Sequence, residues 1–160
     1  NTIRFPKGKI HEDEFTTYKL FDKCKKIIDT DEVMYYYRQR DGSIMKSEFS
    51  IKRLDVIEAI KERIKYFENK GYKELKLLAE NQLQSLLRSF YTTIYNSTIE
   101  NKELYLNKIV KEIRKNYFKF ISNRHVSKKS KILITIISIN DGLYYKIYKF
   151  KNNISTKEKI

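Results

Sequence analysis

The helical character of this chain is clearest in residues 51–71, which read IKRLDVIEAIKERIKYFENKG. Apolar residues recur there every three or four positions, the spacing that places them on one face of an α-helix. Gly71 follows the pattern, and glycine readily takes the left-handed conformation that ends many helices. We therefore predict an amphipathic helix that ends near Gly71, with an apolar face made of Ile51, Leu54, Ile57, Ile60, Ile64 and Phe67.

Two more apolar faces follow along the chain. The second contains Leu75, Leu78, Leu83, Leu86, Leu87, Phe90 and Ile94, and Asn96-Ser97-Thr98 interrupts it. The third contains Leu106, Ile109, Val110, Ile113, Tyr117, Phe120 and Ile121. Amphipathic helices bury such faces against one another. We predict a mainly α fold: a helical bundle of three long helices, then a basic loop at 122–130, shorter C-terminal helices and a frayed tail at 152–160.

Composition restricts the class of protein. The 160 residues are enough for one domain with a core, and 41% hydrophobic content excludes a disordered chain. The chain has one cysteine, Cys24, which excludes a disulfide framework and suits a reducing compartment. Because Cys24 lies on the apolar face of a predicted helix, we expect it to be buried. The longest apolar run, Ile132–Ile139, is far shorter than the roughly 18 residues of a membrane-spanning helix.

The positive charge of the chain is concentrated at one end. The net charge is +14, and residues 101–160 carry fifteen Lys and Arg against four Asp and Glu, or +11. Such a surface suits an anionic partner, namely a membrane surface, a nucleic acid or a phosphorylated lipid. A lysine-rich solvated face is the simpler alternative.

The first fifty residues have a different pattern. Pro6 and Gly8 predict a loop, and an apolar face from Phe15 to Ile28 predicts a helix over Glu12 to Ile28. Residues 32–38 are rich in Val, Met and Tyr, which predicts a strand, and Asp41-Gly42 predicts a turn. We expect a small α/β element ahead of the bundle.

Two groups of polar residues in this element are candidate site residues. His11, Glu12 and Asp13 lie at the loop-to-helix junction, and Arg38 and Arg40 alternate on the predicted strand and so point the same way. Carboxylates and paired arginines are what chemistry on a phosphorylated substrate needs. Each group also has a structural explanation, helix capping for the carboxylates and a solvated strand end for the arginines.

The order of these runs resembles a known family. Ile3-x-Phe5-Pro6-x-Gly8-Lys9-Ile10-His11-Glu12-Asp13, a helix, Tyr35-Tyr36-Tyr37-Arg38-Gln39-Arg40 and Ser43-Ile44 resemble the C-terminal end of the catalytic domain in family 2 glycosyltransferases. The likeness is to the bacterial enzymes that build surface polysaccharides. The helices from residue 51 onward are similar to the C-terminal extension of that group.

The resemblance implies inverting transfer of a sugar from a nucleotide-sugar donor to a glycan or lipid-linked acceptor. Asp13, with Glu12, matches the general base. Arg38 and Arg40 would neutralise the leaving diphosphate or shape the acceptor cleft, with His11 and Ser43 also binding substrate.

The sequence departs from the family in one large respect. The nucleotide-binding half is absent, and so is the Asp-x-Asp motif that holds Mg²⁺ or Mn²⁺ in the family. Asp29-Thr30-Asp31 has the right residues, but it follows the Glu-Asp motif, whereas the metal-binding motif of the family precedes it. We therefore interpret Asp29-Thr30-Asp31 as a capping loop. We therefore expect a fragment that is inactive alone and holds no metal, with the metal belonging to the full-length enzyme. Residues 1–50 would be the catalytic-domain edge, 51–151 the helical extension and 152–160 the tail. We expect a cytoplasmic protein whose basic end lies on the inner face of the cytoplasmic membrane.

Two other functions compete with this hypothesis. A basic helical nucleic-acid-binding module accounts for the charge, although acidic residues on the first helix oppose a phosphate backbone. A helical protein-interaction module that forms homo-oligomers is the other.

Overall fold

A computed structural model describes the backbone of residues 3–36, 38 and 49–157, and side chains up to residue 150. These residues form seven α-helices and a 3-10 turn at Ile51–Leu54, and they contain no strand. The predicted mainly α fold is confirmed. The helices are α1 (Glu12–Lys23), α2 (Asp55–Asn69), α3 (Lys73–Asn96), α4 (Lys102–Lys115), α5 (Tyr117–Ser122), α6 (Lys128–Ile139) and α7 (Asp141–Lys157).

The main core lies between α2, α3 and α4 and is closed by α5, α6 and α7. Each predicted apolar face contributes to it, and burying an aliphatic side chain of this kind contributes about 1.5–3 kcal/mol. Its fully buried members include Ile60, Leu87, Ile94, Ile113, Phe120, Ile134 and Ile137.

The second apolar face is not buried along its whole length. Leu75 and Leu78 are both 44% exposed, against our expectation. The buried side of α3 at this end passes instead through Ala79, Glu80 and Leu83. Ala79 packs there with residues of α1 and α2, and this packing sets the rotation of the helix.

Gly71 ends α2 as predicted. It has a φ of 73°, its N–H donates to the Glu68 carbonyl at 3.1 Å, and the Tyr72 N–H donates to the Phe67 carbonyl at 2.9 Å. These two bonds close a Schellman motif, in which a left-handed residue satisfies the last helix carbonyls.

The third apolar face is divided between two helices. Asn116 separates α4 from α5, and its side-chain amide donates to the Glu112 carbonyl at 2.9 Å. Asparagine side chains compete with helix hydrogen bonds in this way, so one long helix was the wrong prediction.

The first helix is shorter than predicted because its packing partner ends. α1 runs parallel to α2, with Tyr18 against Phe67 at 5.6 Å between ring centroids. α2 stops at Asn69, and α1 stops at Lys23. Cys24 therefore lies beyond the helix and is exposed, which corrects our prediction that it is buried.

The predicted strand is absent from the described residues. Residues 32–36 and 38 are irregular and exposed. A strand needs a partner with which to share hydrogen bonds, and the described ranges offer none. The structure therefore does not show the α/β element expected before the bundle.

Candidate active site

The loop before α1 is fixed to the start of α2. Lys9 Nζ lies 2.7 Å from Glu58 Oε2 and 3.3 Å from Asp55 Oδ1, and the Ile10 N–H donates to Asp55 Oδ2 at 3.4 Å. His11 then takes a left-handed conformation with a φ of 59° and leads directly into α1. These contacts determine where the acidic first turn of α1 lies.

The three carboxylates of that turn have different surroundings. Glu14 pairs with Arg63 Nη1 at 2.9 Å, whereas Glu12 is exposed. Asp13 Oδ1 accepts the Glu14 N–H at 2.9 Å, but that N–H also donates to the His11 carbonyl at 3.1 Å, and no described side chain caps the start of α1. No cation within the described part of the chain pairs with Asp13, and its carboxylate faces solvent.

A cavity of about 300 Å³ opens beside Asp13. Glu14, Thr17, Tyr18, Phe21 and Arg63 also line it. The cavity therefore combines one carboxylate without an ion pair, one guanidinium and an aromatic wall. This arrangement can accept a proton from a hydroxyl group while holding the rest of a polar ligand.

Arg63 is a site residue that the sequence did not reveal. Its side chain is 15% exposed, and it donates to Gln82 of α3 as well as pairing with Glu14. It stands next to the apolar face of α2, where a charged residue is ordinarily solvated. Its position in α2 carried no signal that α1 would cover it.

The remaining predicted site residues are not brought together. His11 adjoins Glu12 and Asp13 in the chain and is partly buried, but Arg38 is exposed on the irregular segment. Arg40 and Ser43 lie outside the described residues. The predicted pairing of two arginines on one strand face is therefore unsupported, since Arg38 is not in a strand.

A second polar cluster fastens the end of α1. Asp22 accepts hydrogen bonds from the Tyr66 hydroxyl at 2.6 Å and the Tyr72 hydroxyl at 2.7 Å, and it pairs with Lys70 at 2.9 Å. These donors hold the pKa of Asp22 well below its ordinary value, and the bond to Asp22 raises the pKa of Tyr66. A carboxylate so fully partnered is a structural anchor.

The described residues do not fit a divalent metal. They contain no group of three or more His, Cys, Asp or Glu side chains that could hold one. Asp29 Oδ1 instead accepts the Thr30 N–H at 3.1 Å, within an irregular loop. In the same ranges, every helix is too short or too polar to cross a membrane.

Comparison with known proteins gives one informative similarity. Over 65 residues the chain is 32% identical to glycosyltransferase GlyG of Streptococcus pneumoniae, a match that covers 40% of this chain and 22% of that protein. No family model matches the chain, and no solved structure does. The chain thus spans about a fifth of its relative, and the match supports a glycosyltransferase relationship.

Proposed function

We propose that this chain is the C-terminal part of an inverting, family 2 glycosyltransferase of bacterial surface-polysaccharide synthesis. It would transfer a sugar from a nucleotide-sugar donor to a glycan or lipid-linked acceptor. The similarity to glycosyltransferase GlyG supports the reaction class, and the solvent-facing carboxylate of Asp13 beside an anchored cavity carries the assignment of the base. The donor-binding half and any metal ligands would precede this chain.

In the proposed reaction Asp13 removes the proton of the acceptor hydroxyl as its oxygen attacks the anomeric carbon. The bond from that carbon to the nucleoside diphosphate breaks, and the diphosphate leaves with the electron pair. Arg63 would act as a positioning residue, because it holds Glu14 and with it the first turn of α1. Arg38 and Arg40 would meet the diphosphate, and His11 and Ser43 would contact the acceptor.

Asp13 is a better base than its two neighbours for a structural reason. Glu14 forms an ion pair with Arg63, and protonation of Glu14 would break that pair. Glu12 is exposed but does not line the cavity. Asp13 both lines the cavity and is free of an ion pair in the described part of the chain, so proton transfer breaks no existing pair.

The test compares two aspartates in the longest open reading frame that contains this chain. Asp13→Asn should lower the release of nucleoside diphosphate from a panel of UDP-, GDP- and dTDP-sugars by roughly 10²–10⁴-fold, the usual contribution of a general base. Asp29→Asn is the matched control, because Asp29 Oδ1 also accepts the next backbone N–H. Equal activity of the two variants would remove Asp13 from the mechanism. A wild-type protein that turns over no donor would refute the glycosyltransferase proposal.

We further propose that residues 101–160, here called the basic third, contact an anionic membrane surface. Phe118 and Ile139 are 79% and 78% exposed, and both line one depression together with Arg114. Exposed apolar side chains beside cations suit the interface of an anionic bilayer.

Vesicle sedimentation tests this contact. Binding to phosphatidylglycerol vesicles should exceed binding to phosphatidylcholine vesicles, and Phe118→Ser with Ile139→Ser should weaken it. Ile28→Ser is the control, because Ile28 is equally exposed but lies outside the basic third. Equal binding to both vesicle types would contradict the proposal, and retention of duplex DNA instead would favour a nucleic-acid-binding module.

A further inference from the structure

A polar groove lies along α3, apart from the cavity at Asp13. It consists of two adjoining cavities of about 580 Å³ and about 450 Å³. Both are lined by Ser85, Arg88 and Ser130, so they adjoin at Arg88, and the two together are here called the Arg88 groove. None of its lining residues lines the cavity beside Asp13.

The described side chains that line the Arg88 groove include basic residues but no acidic ones. Arg88 and Lys129 line it, and no Asp or Glu does among the described residues; the ring of His125, which also lines it, pairs with Glu74. The protein as a whole has 20 acidic residues, so a lining this size without one is a distinct feature. A surface of this kind favours an anion.

Arg88 stands at the centre of the groove with neutral partners. Its Nε donates to Gln84 Oε1 at 3.0 Å, its Nη2 donates to Ser130 Oγ at 3.2 Å, and it interacts with the hydroxyl of Tyr144. These contacts hold the guanidinium in place but leave its charge uncompensated within the described residues. A fixed, partly buried guanidinium is suited to bidentate contact with phosphate.

The two ends of the groove differ in chemistry. One end, between α3, α6 and α7, has an apolar wall of Leu133, Ile147 and the rings of Tyr144 and Tyr148. The other end carries amide and hydroxyl groups, those of Asn81, Gln82, Gln84 and Ser127. Apolar walls accept hydrocarbon, whereas amide and hydroxyl groups suit a hydroxylated ligand.

We propose that the Arg88 groove binds a phosphate ester whose phosphate pairs with Arg88, with a hydrocarbon group at the apolar end and hydroxyl groups at the amide-lined end. A phosphate that joins a sugar to a hydrocarbon chain has this chemistry. Such a ligand could come from a glycolipid or from the bilayer itself. Binding here requires no sugar transfer, because no residue lines both the groove and the cavity beside Asp13, although Arg63 of that cavity donates to Gln82 of the groove.

Calorimetric titration of the whole chain with four probes tests the proposal and its source. The probes are inorganic phosphate, glucose 1-phosphate, citronellyl phosphate and phosphatidylglycerol vesicles. We expect citronellyl phosphate and glucose 1-phosphate each to bind more tightly than inorganic phosphate, because each fills one end of the groove. Competition by the vesicles would identify bilayer lipid as the source, and its absence would identify a glycolipid phosphate. Equal affinity for the first three probes, or no binding at millimolar concentration, would overturn the proposal.

Variants localise the binding. Arg88→Gln should weaken the binding of citronellyl phosphate by about 10- to 100-fold, the loss of one charge-assisted hydrogen-bonding contact. Arg4→Gln is the control with the same change in charge, because Arg4 is exposed, contacts the Ile3 carbonyl and does not line the groove. Ser85→Phe should block binding without removing a charge, so it tests the site even if Arg88→Gln does not fold. Equal weakening by Arg4→Gln, or undiminished binding by Ser85→Phe, would refute the site. Asp13→Asn should bind as the wild type does, whatever its effect on transfer.

Discussion

Tyr18→Ala should weaken the docking of α1 on the bundle while leaving the bundle folded. Tyr18 is 9% exposed and packs edge-on against Tyr66 at 5.1 Å and Phe67 at 5.6 Å between ring centroids. It belongs to a small core cluster with Phe67 and Ala79, which shares no buried member with the main core and adjoins it through the partly buried Ile64. The stability of α1 therefore depends on a few contacts that the other helices do not share.

The size of the effect follows from those contacts. Truncating a buried aromatic side chain to alanine costs about 3–5 kcal/mol in a well-packed core. Phe15 and the hydrogen bonds that Asp22 accepts from Tyr66 and Tyr72 remain, so α1 stays partly docked. The ion pairs between α1 and α2 contribute about 0–1 kcal/mol each, since they are partly exposed. A loss of about 3 kcal/mol lowers the docking equilibrium of α1 by about 10²-fold.

Hydrogen exchange followed by mass spectrometry measures this directly. In Tyr18→Ala the amides of α1 should lose protection by about 10²-fold, whereas those in the middle of α3 should not change. Phe21→Ala is the matched control, because Phe21 lies on the same helix and is 56% exposed. Unchanged protection of α1 would refute the role of Tyr18. Equal loss in α1 and α3 would refute the separation of the two clusters.

Three further outcomes test the fold. Ile137→Ala should lower the free energy of unfolding by about 2–5 kcal/mol and the Tm by roughly 4–20 °C, because Ile137 is fully buried. Ile132→Ala on the same helix is the control and should change the free energy of unfolding by about 0.5 kcal/mol or less, since Ile132 is 61% exposed. The pKa of Asp22 is lower in the folded protein than its unfolded value of about 3.9, so ionised Asp22 stabilises the fold above that pH. This stabilisation is lost as the pH falls. The Tm difference between wild type and Asp22→Asn should therefore shrink below about pH 4. Gly71→Ala should destabilise by about 1–2 kcal/mol because of its φ of 73°, and Gly71→Asn by less, as measured by urea unfolding.

The candidate active site could be predicted only where it is continuous in sequence. His11, Glu12 and Asp13 lie together because the chain joins them, and their place at a loop-to-helix junction was confirmed. Arg63 lies 50 residues beyond Asp13 and reaches the site through the packing of α1 on α2. The Arg88 groove could not be predicted from the sequence, because it forms only where α3, α6 and α7 pack together.

The sequence by itself determined α2, α3 and the turn at Gly71, but not the division of the third apolar face between α4 and α5. Hydrophobic periodicity and the conformational freedom of glycine are local properties, so they can be read from the chain alone. Tertiary structure decided where α1 ends, how α3 is rotated, and that Cys24 is exposed. The physical reason is the same in each case. A side chain is buried only where a second element covers it, and the end of α2 at Asn69 leaves the residues after Lys23 without such an element.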